Sequence, residues 1–383
     1  MITANRLHTV EEYYFSKKLR EVNALKAAGA PIINLGIGSP DIGPPKAVIS
    51  AITDSLSDAS AHKYQSYQGL PALRSAIANF YNSHYKVVLN PENQVLPLMG
   101  SKEGIMHISM AYLNEGDIAL IPNPGYPTYT SVTKLVGATP VFYDLNAASN
   151  WQPDLVFLET MDLSKVKLMW VNYPHMPTGT LGDDEVLKGL VNFAKKNDIL
   201  LINDNPYSFI LNDNPSSIFN IEGAEAVCLE LNSLSKTFNM AGWRVGMLMG
   251  AKEHLENVIK VKSNMDSGMF FGIQRGAIAA LQAEESWFKQ LNDVYLERRK
   301  LIFKLATILE TDFDIHSSGL FVWAKLRESR KTSVQFIEEI LQKHNVFITP
   351  GSIFGSQGEG YIRFSLCVEA DLISKAIERI SKK

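Results

Sequence analysis

From residue 101 onward, short uninterrupted apolar runs alternate with stretches in which apolar residues return every three or four positions. The runs cover 118–121, 168–171, 199–202, 227–231 and 245–249. Their alternation with helical patterns predicts an α/β fold with a mainly parallel sheet wrapped by helices. Between two runs, Leu187, Leu190, Val191 and Ala194 recur at helical spacing behind Asp183, Asp184 and Glu185, whose charges suit a helix N-terminus. This stretch is a predicted crossover helix. Open α/β sheets bind ligands beyond the carboxyl ends of their strands, so chemistry is expected in the residues just after each run.

The two ends of the chain are patterned differently. Residues 11–28 read as a helix with Phe15, Leu19, Val22 and Leu25 on one face, closed by Gly29 and Pro31. Near the other end, Val334, Ile337, Ile340 and Leu341, and then Leu372, Ile373, Ala376, Ile377 and Ile380, mark two amphipathic helices. Strand-like stretches at 320–324 and 361–366 accompany them. The pattern predicts a large domain over 49–275 and a smaller α+β domain over 276–383, which the N-terminal segment 1–48 joins. No internal repeat, low-complexity tract or long linker is visible.

With 383 residues, 46% of them hydrophobic and 20% charged, the chain can bury the cores that this division requires. A formal charge of -3 and the lack of basic runs interleaved with aromatics give no reason to expect a nucleic-acid or anionic-membrane surface. No apolar run approaches the roughly 18 residues that span a bilayer, and the first ten residues have no secretory character. The expectation is a cytoplasmic protein acting on a small soluble ligand. Cys228 and Cys367 each lie in an apolar run, which predicts buried reduced thiols and no metal site.

The most informative stretch is Ser233-Leu-Ser-Lys-Thr-Phe-Asn-Met-Ala-Gly-Trp-Arg-Val-Gly246, a polar loop after an apolar run. A lysine there is partly desolvated, which lowers its pKa and frees an amine to attack a carbonyl. Arg244, with Ser233 or Ser235, suits a phosphate. A loop lysine and arginine are, by themselves, more often plain surface residues. The run 199–202 is followed by Asn203-Asp-Asn-Pro-Tyr207, where Asp204 is a carboxylate at a strand end. Met99-Gly-Ser-Lys-Glu-Gly104 opens a helix with small residues, so that Ser101 is either a cap or part of a phosphate cup. In Asn123-Pro-Gly-Tyr-Pro127 the turn residues could hold Tyr126 flat against a ring, or merely over the core. Arg363, in Tyr361-Ile-Arg-Phe-Ser-Leu366, is a cation in an apolar strand and calls for a carboxylate, either of a ligand or of an internal ion pair.

The stretch 233–246 closely resembles the cofactor-lysine motif of class I/II aminotransferases, the fold type I family dependent on pyridoxal 5'-phosphate (PLP). The other motifs follow in family order from about Asn34 to Arg363, and the wording is nearest to the branch of LL-diaminopimelate, alanine and aspartate aminotransferases. The resemblance implies that Lys236 carries PLP as a Schiff base and shuttles the proton, and that Arg244 binds the phosphate with Ser101, the backbone of Lys102, Ser233 and Ser235. It further implies that Asp204 keeps the pyridine nitrogen protonated, Tyr207 bonds the phenolic oxygen and Tyr126 stacks on the ring. Arg363 would anchor the substrate α-carboxylate, and Gly38, in Asn34-Leu-Gly-Ile-Gly-Ser-Pro-Asp41, would bring backbone to the ligand. Tyr64 matches a tyrosine lent by a partner subunit, which implies a homodimer with shared active sites.

One position departs from the family pattern. Where the family has Asn-Pro-Thr-Gly, this chain reads Asn172-Tyr-Pro-His-Met-Pro-Thr-Gly179, so Met176 stands at the asparagine position. A thioether cannot donate a hydrogen bond, which leaves Tyr207 as the expected donor, with His175 a possible substitute. The implied activity is transamination between an L-amino acid and a 2-oxo acid, 2-oxoglutarate being one partner and LL-diaminopimelate, aspartate or alanine the donor. The same scaffold also supports PLP-dependent C–S β-lyases and non-catalytic PLP-binding regulators. Arg275, Asn264 and Tyr67 are further candidates for side-chain selection that spacing does not place.

Overall fold

The computed structural model describes residues 2–327 and 331–382. In chain order its strands are β1 (Ile33–Asn34), β2 (Val95–Leu98), β3 (Ile118–Asn123), β4 (Thr139–Asp144), β5 (Val166–Val171), β6 (Leu200–Asp204), β7 (Cys228–Ser233), β8 (Gly246–Gly250), β9 (Thr311–Phe313), β10 (Phe321–Leu326), β11 (Val346–Phe347), β12 (Thr349–Pro350) and β13 (Tyr361–Ser365). Seven of them form one sheet in the order β2-β8-β7-β6-β5-β3-β4. Strands β3 to β7 run parallel, and β8 is antiparallel to both of its neighbours.

The central strands carry continuous apolar runs because helices cover both faces of the sheet. In β5, Leu168 and Trp170 point into one core with Ile105 and Ile108 of the helix Ser101–Tyr112. Met169 and Val171 point into the opposite core with Leu190 and Val191 of the crossover helix Asp184–Asn197. That helix begins where the acidic residues predict. Asp183 accepts from the backbone N–H groups of Glu185 and Val186 at 2.9 and 3.2 Å, and Lys195 and Lys196 lie in the last turn.

The C-terminal part builds a four-stranded antiparallel sheet, β12-β13-β10-β9, beside the long helix Glu285–Ile308 and the helices Ser333–His344 and Ala370–Ser381. The N-terminal segment docks there, since β1 pairs in parallel with β11. A bidentate pair, Arg298 Nη1 and Nη2 to Asp41 at 2.7 and 2.8 Å, fixes the end of the loop that follows β1. The first long helix runs over Tyr14–Ala27 and, of its predicted apolar face, buries Val22, half-buries Phe15 and Leu19 and leaves Leu25 exposed. Among the described residues, no helix is long and apolar enough to cross a membrane.

Candidate active site

The residues to which the resemblance assigns a role, Tyr64 excepted, line one cleft of about 480 Å³ together with Met176. It opens at the carboxyl ends of the parallel strands, where the topology concentrates loop backbone and helix N-termini. Strand β6 ends in Asp204, and β7 ends in Ser233, which caps the single helical turn Leu234–Thr237 by accepting from Ser235 N–H at 3.1 Å. Lys236 sits on that turn and its Nζ donates to the Gly38 carbonyl at 2.6 Å. Burial holds the Lys236 ammonium below its usual pKa, with the Arg363 and Arg244 charges adding to the effect. Gly38 is required here, because a Cβ would lie 2.3 Å from Cζ of Phe321.

Asp204 is buried, and its Oδ2 accepts from the Tyr129 hydroxyl at 2.8 Å. Burial pushes its carboxyl up to about 7; the Tyr129 bond opposes the rise and the Glu230 charge adds to it. The other oxygen, Oδ1, is buried with no hydrogen-bond partner among the described residues. Tyr129 stacks on Trp170 at 4.8 Å and 10°, so its hydroxyl is held rigidly against the carboxylate. Tyr126 packs edge-on against Tyr129 at 5.5 Å, and Tyr207 edge-on against Phe321 at 5.9 Å. Burial raises the pKa of both Tyr126 and Tyr207, so each hydroxyl keeps its proton and can donate it in a hydrogen bond.

The opposite end of the cleft gathers donors. Ser233 and Ser235 hydroxyls lie 2.8 Å apart, and Ser101 opens the helix Ser101–Tyr112. Arg244, exposed and at φ 58, is braced by a bond from Nη1 to the Ala241 carbonyl at 2.9 Å. Its guanidinium lies against Gly100, where a Cβ would meet Nη2 at 2.0 Å and where φ is +92°. The Lys102 Nζ rests 4.3 Å from the ring centroid of Tyr13.

Arg363 is buried in β13 and no carboxylate among the described residues pairs with it, so an internal ion pair is not its role. Its Nη2 donates to the Gly36 carbonyl at 2.9 Å, Nη1 lies 3.4 Å from the Met176 sulfur, and Nε has no partner. The guanidinium is 3.8 Å from the Phe321 ring centroid, 4.7 Å from Phe354 and 5.4 Å from Phe15. Burial lowers its pKa to about 10, which leaves it charged at neutral pH.

One expectation from the sequence needs correction. His175 does not line the cleft; its Nδ1 is 2.8 Å from the Thr178 hydroxyl, and burial lowers its pKa to about 3, so it cannot stand in for an asparagine at Met176. Tyr64 is 91% exposed and outside its own chain's cleft. Arg275, Asn264 and Tyr67 do not line the cleft either. Cys228 and Cys367 are free and buried, as their apolar surroundings predict. Sequence reasoning missed Tyr13, Tyr129, Phe321 and Phe354. Only Tyr129 had a legible signal, since it stands three residues after Tyr126 on the same helical face.

The chemistry of this lining can be tested against a pyridine cofactor with a phosphate. A buried carboxylate oxygen without a donor is costly unless a ligand supplies one, and a ring N–H at Asp204 Oδ1 would do so. Hydroxyls, a helix N-terminus and Arg244 stand ready for a phosphate, and a desolvated amine shares the same lining. The residues present fit the group.

The family model described as "Aminotransferase class I and II" matches residues 30–380. The LL-diaminopimelate aminotransferase of Halothermothrix orenii is 37% identical over 99% of this chain and 98% of that protein. That of Aquifex aeolicus is 37% identical over 98% of each. Among solved structures, substrate-bound BacF from Bacillus subtilis superposes with a TM-score of 0.95 at 34% identity, covering 100% of this chain and 98% of that one. The aspartate aminotransferase of Thermotoga maritima gives 0.90 at 27%, covering 99% and 98%.

Proposed function

The chain belongs to the class I and II aminotransferases, PLP-dependent enzymes, and we propose that it exchanges the amino group of an L-amino acid with a 2-oxo acid, 2-oxoglutarate being one partner. The observation that carries this reading is the cleft whose lining joins one desolvated lysine, Lys236, an orphaned carboxylate oxygen of Asp204 and a buried guanidinium, Arg363, that has no carboxylate partner among the described residues. LL-diaminopimelate, which names the curated relatives, stands with aspartate and alanine among the donors to test.

Bound PLP supplies an aldehyde that takes up the amino group and a ring that withdraws electrons from the substrate's α-carbon. The protein's own groups do the rest. Arg363 orients the substrate by its α-carboxylate, its planar fork matching two oxygens at once. Lys236 Nζ, once released, takes the α-proton as a general base and later returns it as an acid, which its lowered pKa favours. Asp204 holds a proton at the ring nitrogen, Tyr129 keeping the carboxylate in place. Tyr207 donates to the phenolic oxygen, and Ser101, Ser233, Ser235 and Arg244 hold the phosphate.

Tyr64, exposed and outside the lining of its own cleft, supports a homodimer in which it serves the neighbouring site. A cytoplasmic location goes with this reading. Mixing the purified protein with single amino acids and following the cofactor's visible band tests the reading, because amino-group transfer bleaches it. Lys236→Ala should abolish turnover; substantial transamination by that variant would refute the assignment.

A further inference from the structure

Strand β7 carries an ionisable side chain outside the lining of the cleft. Glu230 is wholly buried and pairs in register with Asn203, the residue before Asp204. Its Oε1 accepts from the Tyr81 and Ser217 hydroxyls at 2.8 and 3.0 Å, and its Oε2 from Ile218 N–H and Asn203 Nδ2 at 2.9 and 3.1 Å. The directions of these bonds are fixed by their neighbours. Tyr173 N–H donates to Asn203 Oδ1, which turns the amide nitrogen of Asn203 toward Glu230. Ser217 Oγ accepts from Phe219 N–H, and the Tyr81 hydroxyl accepts from Asn232 Nδ2, whose orientation the Ser233 N–H sets by donating to Asn232 Oδ1. Glu230 is the one acceptor that either hydroxyl meets among the described residues. Four donors around two oxygens make Glu230 a carboxylate, and no cation pairs with it among the described residues. Burial raises its pKa, and the four donors oppose the rise.

We propose that Glu230 is a positioning residue for transamination, its fixed negative charge on the far face of the sheet keeping Asp204 basic enough to hold a proton on the ring nitrogen of bound PLP. The proposal rests on the transamination reading. Side chains alternate along a strand, so Asp204 turns toward Tyr129 and the cleft while Asn203 and Glu230 turn to the other face, toward Tyr81 of the helix Pro71–Tyr85. The two carboxylates are thus one strand and one residue apart, with only sheet backbone between them. A buried charge without a counter-ion is costly, and a neutral side chain would fill the same space; what the charge adds is a field that neither water nor a cation screens. Of the titratable groups that act on Asp204, Tyr129 opposes its raised pKa by hydrogen bonding and Glu230 adds to it, while Tyr126 and Tyr207 keep their protons. Tyr81, Tyr85 and Cys228, which face Glu230, are held neutral by burial.

The test removes the charge in two ways, by Glu230→Gln and by Glu230→Met, and reads the titration midpoint of Asp204 in the full-length apoprotein. Carbon-13 NMR of protein labelled at its aspartate carboxyls reports that midpoint as the signal missing from Asp204→Asn. In both neutral variants it should fall by at least about 0.5 pH unit. Tyr81→Phe disturbs the same network but leaves the charge, and should hold the midpoint within about 0.2 pH unit of wild type. Loaded with PLP, Glu230→Gln should lose at least about threefold in kcat with KM for the amino donor unchanged, because Arg363 still takes the α-carboxylate. An unmoved midpoint in a folded neutral variant overturns the proposal, as do an equal fall in Tyr81→Phe and a lowered midpoint with wild-type kcat. Failure of both neutral variants to fold assigns the carboxylate to the fold and overturns it too. If no amino acid bleaches the wild-type cofactor band, the transamination reading falls instead, and the apoprotein midpoints are read independently of it.

Discussion

Removing the ionisable oxygen from Asp204 should change how the cofactor-free protein responds to pH. Its folded pKa is about 7 against an unfolded value of 3.8, so between those values the folded state holds a proton that the unfolded state has lost. Stability from this group is therefore full below about 3.8 and is lost as pH rises toward 7. At about 1.4 kcal/mol per unit, the penalty is roughly 2 kcal/mol at pH 5 and roughly 4 kcal/mol at pH 8. Asp204→Asn cannot ionise, although its amide adds a donor where Oδ1 had no partner, a pH-independent change of about 1–3 kcal/mol. Urea unfolding of the two apoproteins at pH 5 and pH 8 isolates the ionisation. The wild type should lose about 2–3 kcal/mol relative to Asp204→Asn across that interval. With cofactor bound, a ring N–H meets the carboxylate and the difference should shrink. A stability difference between the two apoproteins that does not vary with pH would refute the picture of a desolvated carboxylate awaiting a proton donor.

Two further substitutions probe the other end of the cleft. Met176→Asn introduces an amide donor where the thioether has none, and the pH midpoint of the cofactor's visible band should move to lower values, because a donor at the phenolic oxygen weakens its hold on a shared proton; an unmoved midpoint in a spectrophotometric titration counts against this. Arg363→Lys keeps the charge but loses the fork and its stacking on Phe321, which should reduce kcat/KM by about 2–4 kcal/mol, some 30- to 1000-fold, as steady-state kinetics would show; wild-type efficiency in that variant would remove Arg363 from the substrate site.

Much of the architecture was legible because its causes are local. The apolar runs mark β3, β5, β6, β7 and β8, since strands covered on both faces need apolar residues at every position. The edge strand β4, Thr139–Asp144, is mostly exposed or half-buried and contains Pro140, so no run announces it. Strand β2 is only four residues long and includes Pro97. The antiparallel sense of β8 was not legible either, because direction depends on how the connection turns and leaves no mark on hydrophobicity.

The sequence by itself determined which residues are the candidates for the chemistry. Lys236, Asp204, Tyr207, Arg244 and Arg363 stand in segments whose turn and strand patterns are readable within a dozen positions, and the order of those motifs identifies the family. Only the tertiary structure decided what each of them meets. Lys236 reaches Gly38 across 198 positions, Arg363 reaches Met176 across 187, and Asp204 meets Tyr129 across 75. The phenyl box around Arg363 draws on Phe15, Phe321 and Phe354, near opposite ends of the chain. Periodicity and turn chemistry act over one or two turns of backbone, whereas these contacts depend on how whole layers pack. Packing therefore decides the desolvation of Lys236 and Asp204 and the company Arg363 keeps, and with them the protonation states.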